Sequence, residues 1–144
     1  METGPYLKAA VFCSEVIEGK DGVLSLIRVI DRLTITAAGT EPPATLPPFK
    51  HPVKLVLMLI SGRAKGTKDV AVKIERPDGT VSPAWSGTVF LEGEDRGANL
   101  VMEMEMEFSL EGLYWFDAYF EDTRITRMPF RVIYQRAGAA QAQR

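Results

Sequence analysis

Between Leu100 and Phe108 every second residue is apolar: Leu100, Met102, Met104, Met106 and Phe108, with Glu103, Glu105 and Glu107 between them. A helix would scatter the three glutamates around its axis. A strand puts them on one wet face and the methionines on one buried face. The same period of two predicts strands over Tyr6–Val16, Leu24–Ile35, Asp69–Arg76, Trp85–Glu92, Leu113–Glu121 and Ile125–Tyr134. Val53–Ile60 is apolar on both faces, as a central strand covered on both sides would be.

The breaks between these runs carry turn chemistry. Lys20, Asp21 and Gly22 predict a hairpin between the first two strands, and Pro77, Asp78, Gly79 and Thr80 predict a tight turn. About eight strands at this spacing suit a sandwich or barrel. No run longer than ten residues has helical spacing, although Ser14–Lys20 could hold a short helical turn. Glu41–Pro52 contains five prolines, which cannot donate to a ladder, and reads as an extended crossover rather than a ligand for a proline-recognition domain. Residues 1–136 read as one domain and 137–144 as a flexible tail with nothing to bury.

The local pattern around Tyr114 narrows the architecture. Gly112 allows a corner, and Tyr114 precedes the apolar Phe116 by two. In immunoglobulin-type sandwiches a tyrosine so placed bonds back to the upstream backbone. The fold expected is therefore all-β, an antiparallel immunoglobulin-like sandwich of about 7–9 strands, with Tyr114, Phe116, Ala118 and Phe120 facing the core. The segments Tyr6–Cys13, Lys20–Arg32, Gly112–Asp117 and Met128–Val132 resemble a family of small uncharacterised bacterial proteins. The resemblance spans nearly the whole chain, the proline-rich crossover least. It implies a compact bacterial β-domain and brings with it no activity, substrate or catalytic residue.

Charge and composition exclude more than they assign. The 144 residues carry a net charge of −2, against the basic surface that non-specific nucleic-acid binding needs. Cys13 is the only cysteine, so no internal disulfide forms. Met1–Pro5 lacks the regions of a secretory leader, and the apolar run Leu55–Ile60 falls far short of the ~20 residues of a membrane helix. A cytoplasmic protein without membrane contact is the expectation.

The candidate chemistry is sparse. His51 is the only histidine, and Cys13 lies among apolar neighbours, where a thiol is inert. Two such residues cannot build a zinc site, and no metal or cofactor is expected. Glu92, Glu94 and Asp95, with Glu121 and Asp122, read as solvated turns rather than calcium ligands. Ser61–Lys68 is glycine-containing and basic but opens no helix, so it reads as a hairpin loop. The methionine row reads as core.

Two places hold more specific possibilities. Asp31 shares a row with Ile27, Val29, Leu33 and Ile35, which requires a structural partner such as Arg127 or Arg131, or a bulge that turns it outward. Trp115, Asp117 and Tyr119 share the face opposite Tyr114; joined by Trp85, they could bind a partner or stack on a sugar, or be covered by a second layer. The favoured function is a non-enzymatic interaction or assembly module, binding a protein partner or itself; the alternative is a small-ligand or carbohydrate binder using that aromatic face.

Overall fold

A computed structural model describes residues 4–137. They form nine strands: β1 Tyr6–Glu18, β2 Leu24–Ile30, β3 Arg32–Ala38, β4 Phe49–Gly62, β5 Gly66–Glu75, β6 Val81–Leu91, β7 Glu94–Phe108, β8 Gly112–Phe120 and β9 Thr123–Ala137. The strands make two sheets, one of order β2-β1-β4-β7 and one of order β3-β9-β8-β5-β6. The all-β sandwich expected from the period of two is what the chain forms. Residues 138–144, most of the expected tail, lie outside the described residues.

One core fills the space between the sheets. Leu55, Leu57 and Leu59 enter it from β4, Met102, Met104, Met106 and Phe108 from β7, and Val70, Val72 and Ile74 from β5. Phe116 and Phe130 meet Phe12 edge-on, each at 5.0 Å between ring centres, and Phe108 meets Tyr114 at 5.1 Å. Such pairs add about 0.5–1.5 kcal/mol each beyond the area they bury. On the outer face of β4, Val56 is also buried, with Val11 and Val101 beside it on the neighbouring strands.

Tyr114 makes the expected corner. Its hydroxyl donates to the Leu110 carbonyl at 2.6 Å and accepts from the Leu110 N–H at 3.2 Å. The chain enters β8 through Gly112 at φ 133°, a region open to glycine and closed to other residues. The β1–β2 and β5–β6 hairpins form as read; in the second, Asp78 accepts from the Thr80 N–H and hydroxyl.

Four local readings are corrected. Leu24–Ile35 is two strands: β2 lies in one sheet, β3 in the other, and the chain crosses at Asp31. β3 then pairs with β9 in parallel, the exception among otherwise antiparallel ladders. The proline crossover is shorter than Glu41–Pro52, because β4 begins at Phe49 and takes in His51 and Pro52. Pro52 is tolerated there because β1 has already parted from β4, leaving Pro52 opposite Glu105 of β7 alone. Ser14–Glu18 continues β1 instead of forming a helical turn, and Ser61–Lys68 links strands of different sheets rather than a hairpin.

Replacing Tyr114 with Phe removes both contacts to Leu110 and leaves that backbone partly unsatisfied, at a cost of about 1–2 kcal/mol. The expected result is a lower denaturant midpoint with an unchanged slope. Burial pushes the Tyr114 phenol above its ordinary range of 10.0. The unfolded chain therefore releases this proton first as pH rises, so the contribution is intact below pH ~10 and is lost above it. The stability gap between Tyr114 and Tyr114→Phe should narrow in alkaline denaturation curves.

Candidate functional site

The five-stranded sheet turns Trp115, Asp117 and Tyr119 to its outer face, one row per pair of residues along β8. Register fixes their neighbours. Glu75, Trp115 and Pro129 form one row; Lys73, Asp117 and Arg127 the next; Ala71, Tyr119 and Arg124 the third. The Arg127 guanidinium lies 4.6 Å from the centre of the Trp115 ring, and the Lys73 ammonium 4.9 Å from that of Tyr119. One face of each ring is thus occupied by a cation of the same chain.

Asp117 is the charged centre of this array, with only 8% of its surface exposed. Arg127 Nε stands 3.0 Å from Asp117 Oδ1 and Arg124 Nη1 stands 3.9 Å from it. Arg124 is beyond hydrogen-bond distance and Arg127 Nε lacks hydrogen-bond geometry, so that oxygen is held by charge without a hydrogen bond. Arg127 also reaches Glu75 Oε2 at 3.0 Å. Arg127 therefore joins two carboxylates and an indole, a use of its planar fork that lysine could not reproduce.

Trp85 does not belong to this group. It pairs with Val72, whose side chain faces the core, and packs against the core from the edge strand β6. Its ring lies over Gly87, where an added Cβ would come within 2.4 Å of Cη2. Alternation along β6 fixes this: Trp85 is in phase with Val89 and Leu91, which are buried in the core, and the register shift between Val72 and Lys73 lies beyond it.

Asp31 is not on a buried row. It sits at the crossing between sheets, exposed, with Oδ1 accepting from Arg32 Nε at 3.0 Å. That hydrogen bond and the adjacent charge hold its carboxyl below the ordinary range. Of the row read as buried, Leu33 and Ile35 do pack against the core, whereas Ile27 and Val29, before the crossing, are exposed and Ile30 turns inward instead. Cys13 and His51 line one cavity but belong to opposite rows of their strands. Cys13 lies on the outer face of β1, where burial pushes its thiol up, while His51 takes the inner row of β4 with Val53 and Leu55. Glu92 accepts from Arg96 at 2.7 Å, and among the described residues no three His, Cys, Asp or Glu side chains gather as a metal site.

The crossing also creates a feature that strand patterning did not reveal. β2 pairs with β1 only from Phe12 onward, and β3 pairs with β9 only from Arg131 onward. Residues 7–11 of β1 and 123–130 of β9 therefore have no strand beyond them on that side, among the described residues. Between the two bared edges lies a groove of about 230 Å³ whose lining is mostly apolar, with Ala10, Val11, Val29, Ile30 and Met128 among it, and includes the Asp31 carboxylate.

Arg127→Leu should strip the main counter-charge from a nearly buried carboxylate and lower stability by about 1–3 kcal/mol. In an Asp117→Asn background the same change should cost markedly less. A double-mutant cycle by urea denaturation measures the coupling; a value near zero would make the ion pair a bystander.

Comparison with known proteins places the fold but not an activity. No curated protein matches the chain. Among solved structures, β-glucosidase 3B from Thermotoga neapolitana in complex with alpha-D-glucose is similar at 10% identity and TM-score 0.50, over 89% of this chain and 16% of that one. A β-glucosidase from Listeria innocua in complex with isofagomine is similar at 10% identity and TM-score 0.49, over 92% of this chain and 17% of that one. The chain thus spans about a sixth of those enzymes, and the likeness concerns the fold alone. The sequence itself matches a family over residues 8–133, and the chain belongs to that family, DUF6941, a family of unknown function.

Proposed function

We propose that this domain is a non-enzymatic protein-interaction module that receives an extended strand of a protein partner along β1, at the open side of the sandwich. The observation that carries the reading is the bared edge of β1 over residues 7–11 beside an apolar groove. An added strand gains main-chain hydrogen bonds from such an edge and side-chain contacts from such a groove. Leu7 and Val29, both exposed, extend the apolar surface around it. The facing edge of β9 is less receptive, because Pro129 has no N–H to offer.

The non-enzymatic part rests on how the reactive groups are held. Asp117 is neutralised by arginines, the Cys13 thiol is pushed up, and Cys13 and His51 occupy opposite faces. The Tyr114 corner supports an immunoglobulin-like variant of the sandwich. A bacterial, cytoplasmic protein that binds no nucleic acid fits the family resemblance and the net charge of −2. The carbohydrate reading is less favoured: Trp85 faces the core, and cations of the chain cover one face each of Trp115 and Tyr119.

Val11→Lys places a charge in the groove at a position that is only half-buried, so the fold should persist. Light scattering after size exclusion, together with affinity capture from the native host, reads the effect. The expected outcome is an assembly, with itself or with another protein, that is lost in Val11→Lys and kept in a Thr88→Lys control on the far outer face. An assembly indifferent to Val11→Lys, or none at all, would overturn this reading.

A further inference from the structure

A second cavity lies across the Phe12–Ile30 pair from the groove, and its origin is in the ladder between β1 and β4. That ladder stops at Cys13–Lys54, although β1 continues to Glu18 and β4 has begun at Phe49. Had the register continued, Pro52 would stand opposite Glu15, and Pro52 has no N–H to donate. The two strands part there and open the interior. The space behind the gap measures about 100 Å³ and is walled by Phe12, Ile30, Leu33, Val53 and Phe130. Its margin is made by Ser14 and His51 and, on the outer rim where they face each other across the ladder, by Cys13 and Lys54, with Pro52 beside them.

We propose that this cavity binds a short aliphatic carboxylate, with the tail among Phe12, Leu33 and Phe130 and the carboxylate at the mouth beside His51 and Lys54. Size sets the tail. An apolar cavity of about 150 Å³ accepts a benzene ring, so this one accepts a chain of about four carbons. Apolar walls with a few polar groups at one end are the usual make-up of a small-molecule site.

Charge sets the head group. No carboxylate lines the cavity. Lys54 makes no ion pair within 4.0 Å among the described residues. The acidic neighbours that register assigns to this margin are Glu15 on β1 and Glu103 opposite Lys54 on β7, and both are exposed outside the cavity. An ammonium and an imidazole at the end of an apolar slot favour an anion over a cation of equal length. Because the site is independent of the β1 edge, it stands or falls apart from the interaction reading.

Titration of the ¹⁵N-labelled chain with pentanoate, pentan-1-ol and pentylamine tests the proposal by amide shift changes. Pentanoate should give saturable shifts confined to the amides of residues 12–14, 30–33, 51, 53, 54 and 130, with affinity roughly tenfold above that of pentylamine. Lys54→Ala, whose spectrum should otherwise match the parent, should weaken pentanoate severalfold and leave pentan-1-ol unchanged. Leu33→Phe should fill the slot and abolish both. Absence of saturable shifts, equal affinity for pentanoate and pentylamine, or an unaltered pentanoate affinity in Lys54→Ala would overturn it.

Discussion

The arrangement depends on a single transfer of the chain between sheets at Asp31. The Arg131 N–H donates to the Asp31 carbonyl at 3.2 Å, which ties the crossing residue to the second sheet as soon as the first is left. From that point β3 runs parallel to β9, with Leu33 beside Val132 and Ile35 beside Tyr134. Without the transfer β2 would cover the whole of β1. With it, each sheet has a strand half covered on the same side of the molecule, and the apolar core is approached most closely from that side. Arg28, at φ 55°, lies three residues earlier in the conformation that bulky residues rarely adopt, so the chain is already distorted as it nears the crossing.

The sequence made the strands legible because alternation is a local property. Leu100–Phe108 could not be mistaken: its methionines are buried and its glutamates exposed in the pattern the spacing requires. Tyr114 was legible for a similar reason, since a corner needs only a glycine, a tyrosine and a following core residue within a few positions. The crossing was not legible. Leu24–Ile35 alternates without a glycine or proline to mark a break, and a one-residue change of phase exchanges the buried row for the exposed one. Trp85 is a different case: it is in phase with the buried Val89 and Leu91, and local alternation alone assigns it to the core face. At the crossing, the face of each side chain was decided by β9, a partner about a hundred residues further along the chain.

The charge array around Asp117 shows a second limit. Trp115, Asp117 and Tyr119 could be assigned to one face from β8 alone. Their cations come from β5 and β9, and nothing local announces that Lys73 and Arg127 will stand on either side of Asp117. Once placed, those cations change what the aromatic rings are for. A ring with a guanidinium against it contributes to the cohesion of three strands, and the carboxylate beneath it serves the same end. The outer face of this sheet reads as a braced surface, distinct from the lateral side of the sandwich where β1 and β9 are half covered.

The parallel ladder has a further consequence, in the order of folding. Thr36 and Gln135 lie 99 residues apart in sequence yet meet across β3 and β9. Loop closure over such a span brings an entropic cost that no nearby contact offsets in advance, and chains rich in distant pairings fold slowly. The β1–β2 hairpin can form from neighbouring residues, whereas β3 has no sheet to join until β8 and β9 are in place. For that interval its alternating Leu33, Thr34, Ile35 and Thr36 are an unpaired strand attached to a folded hairpin, the kind of segment from which intermolecular pairing begins.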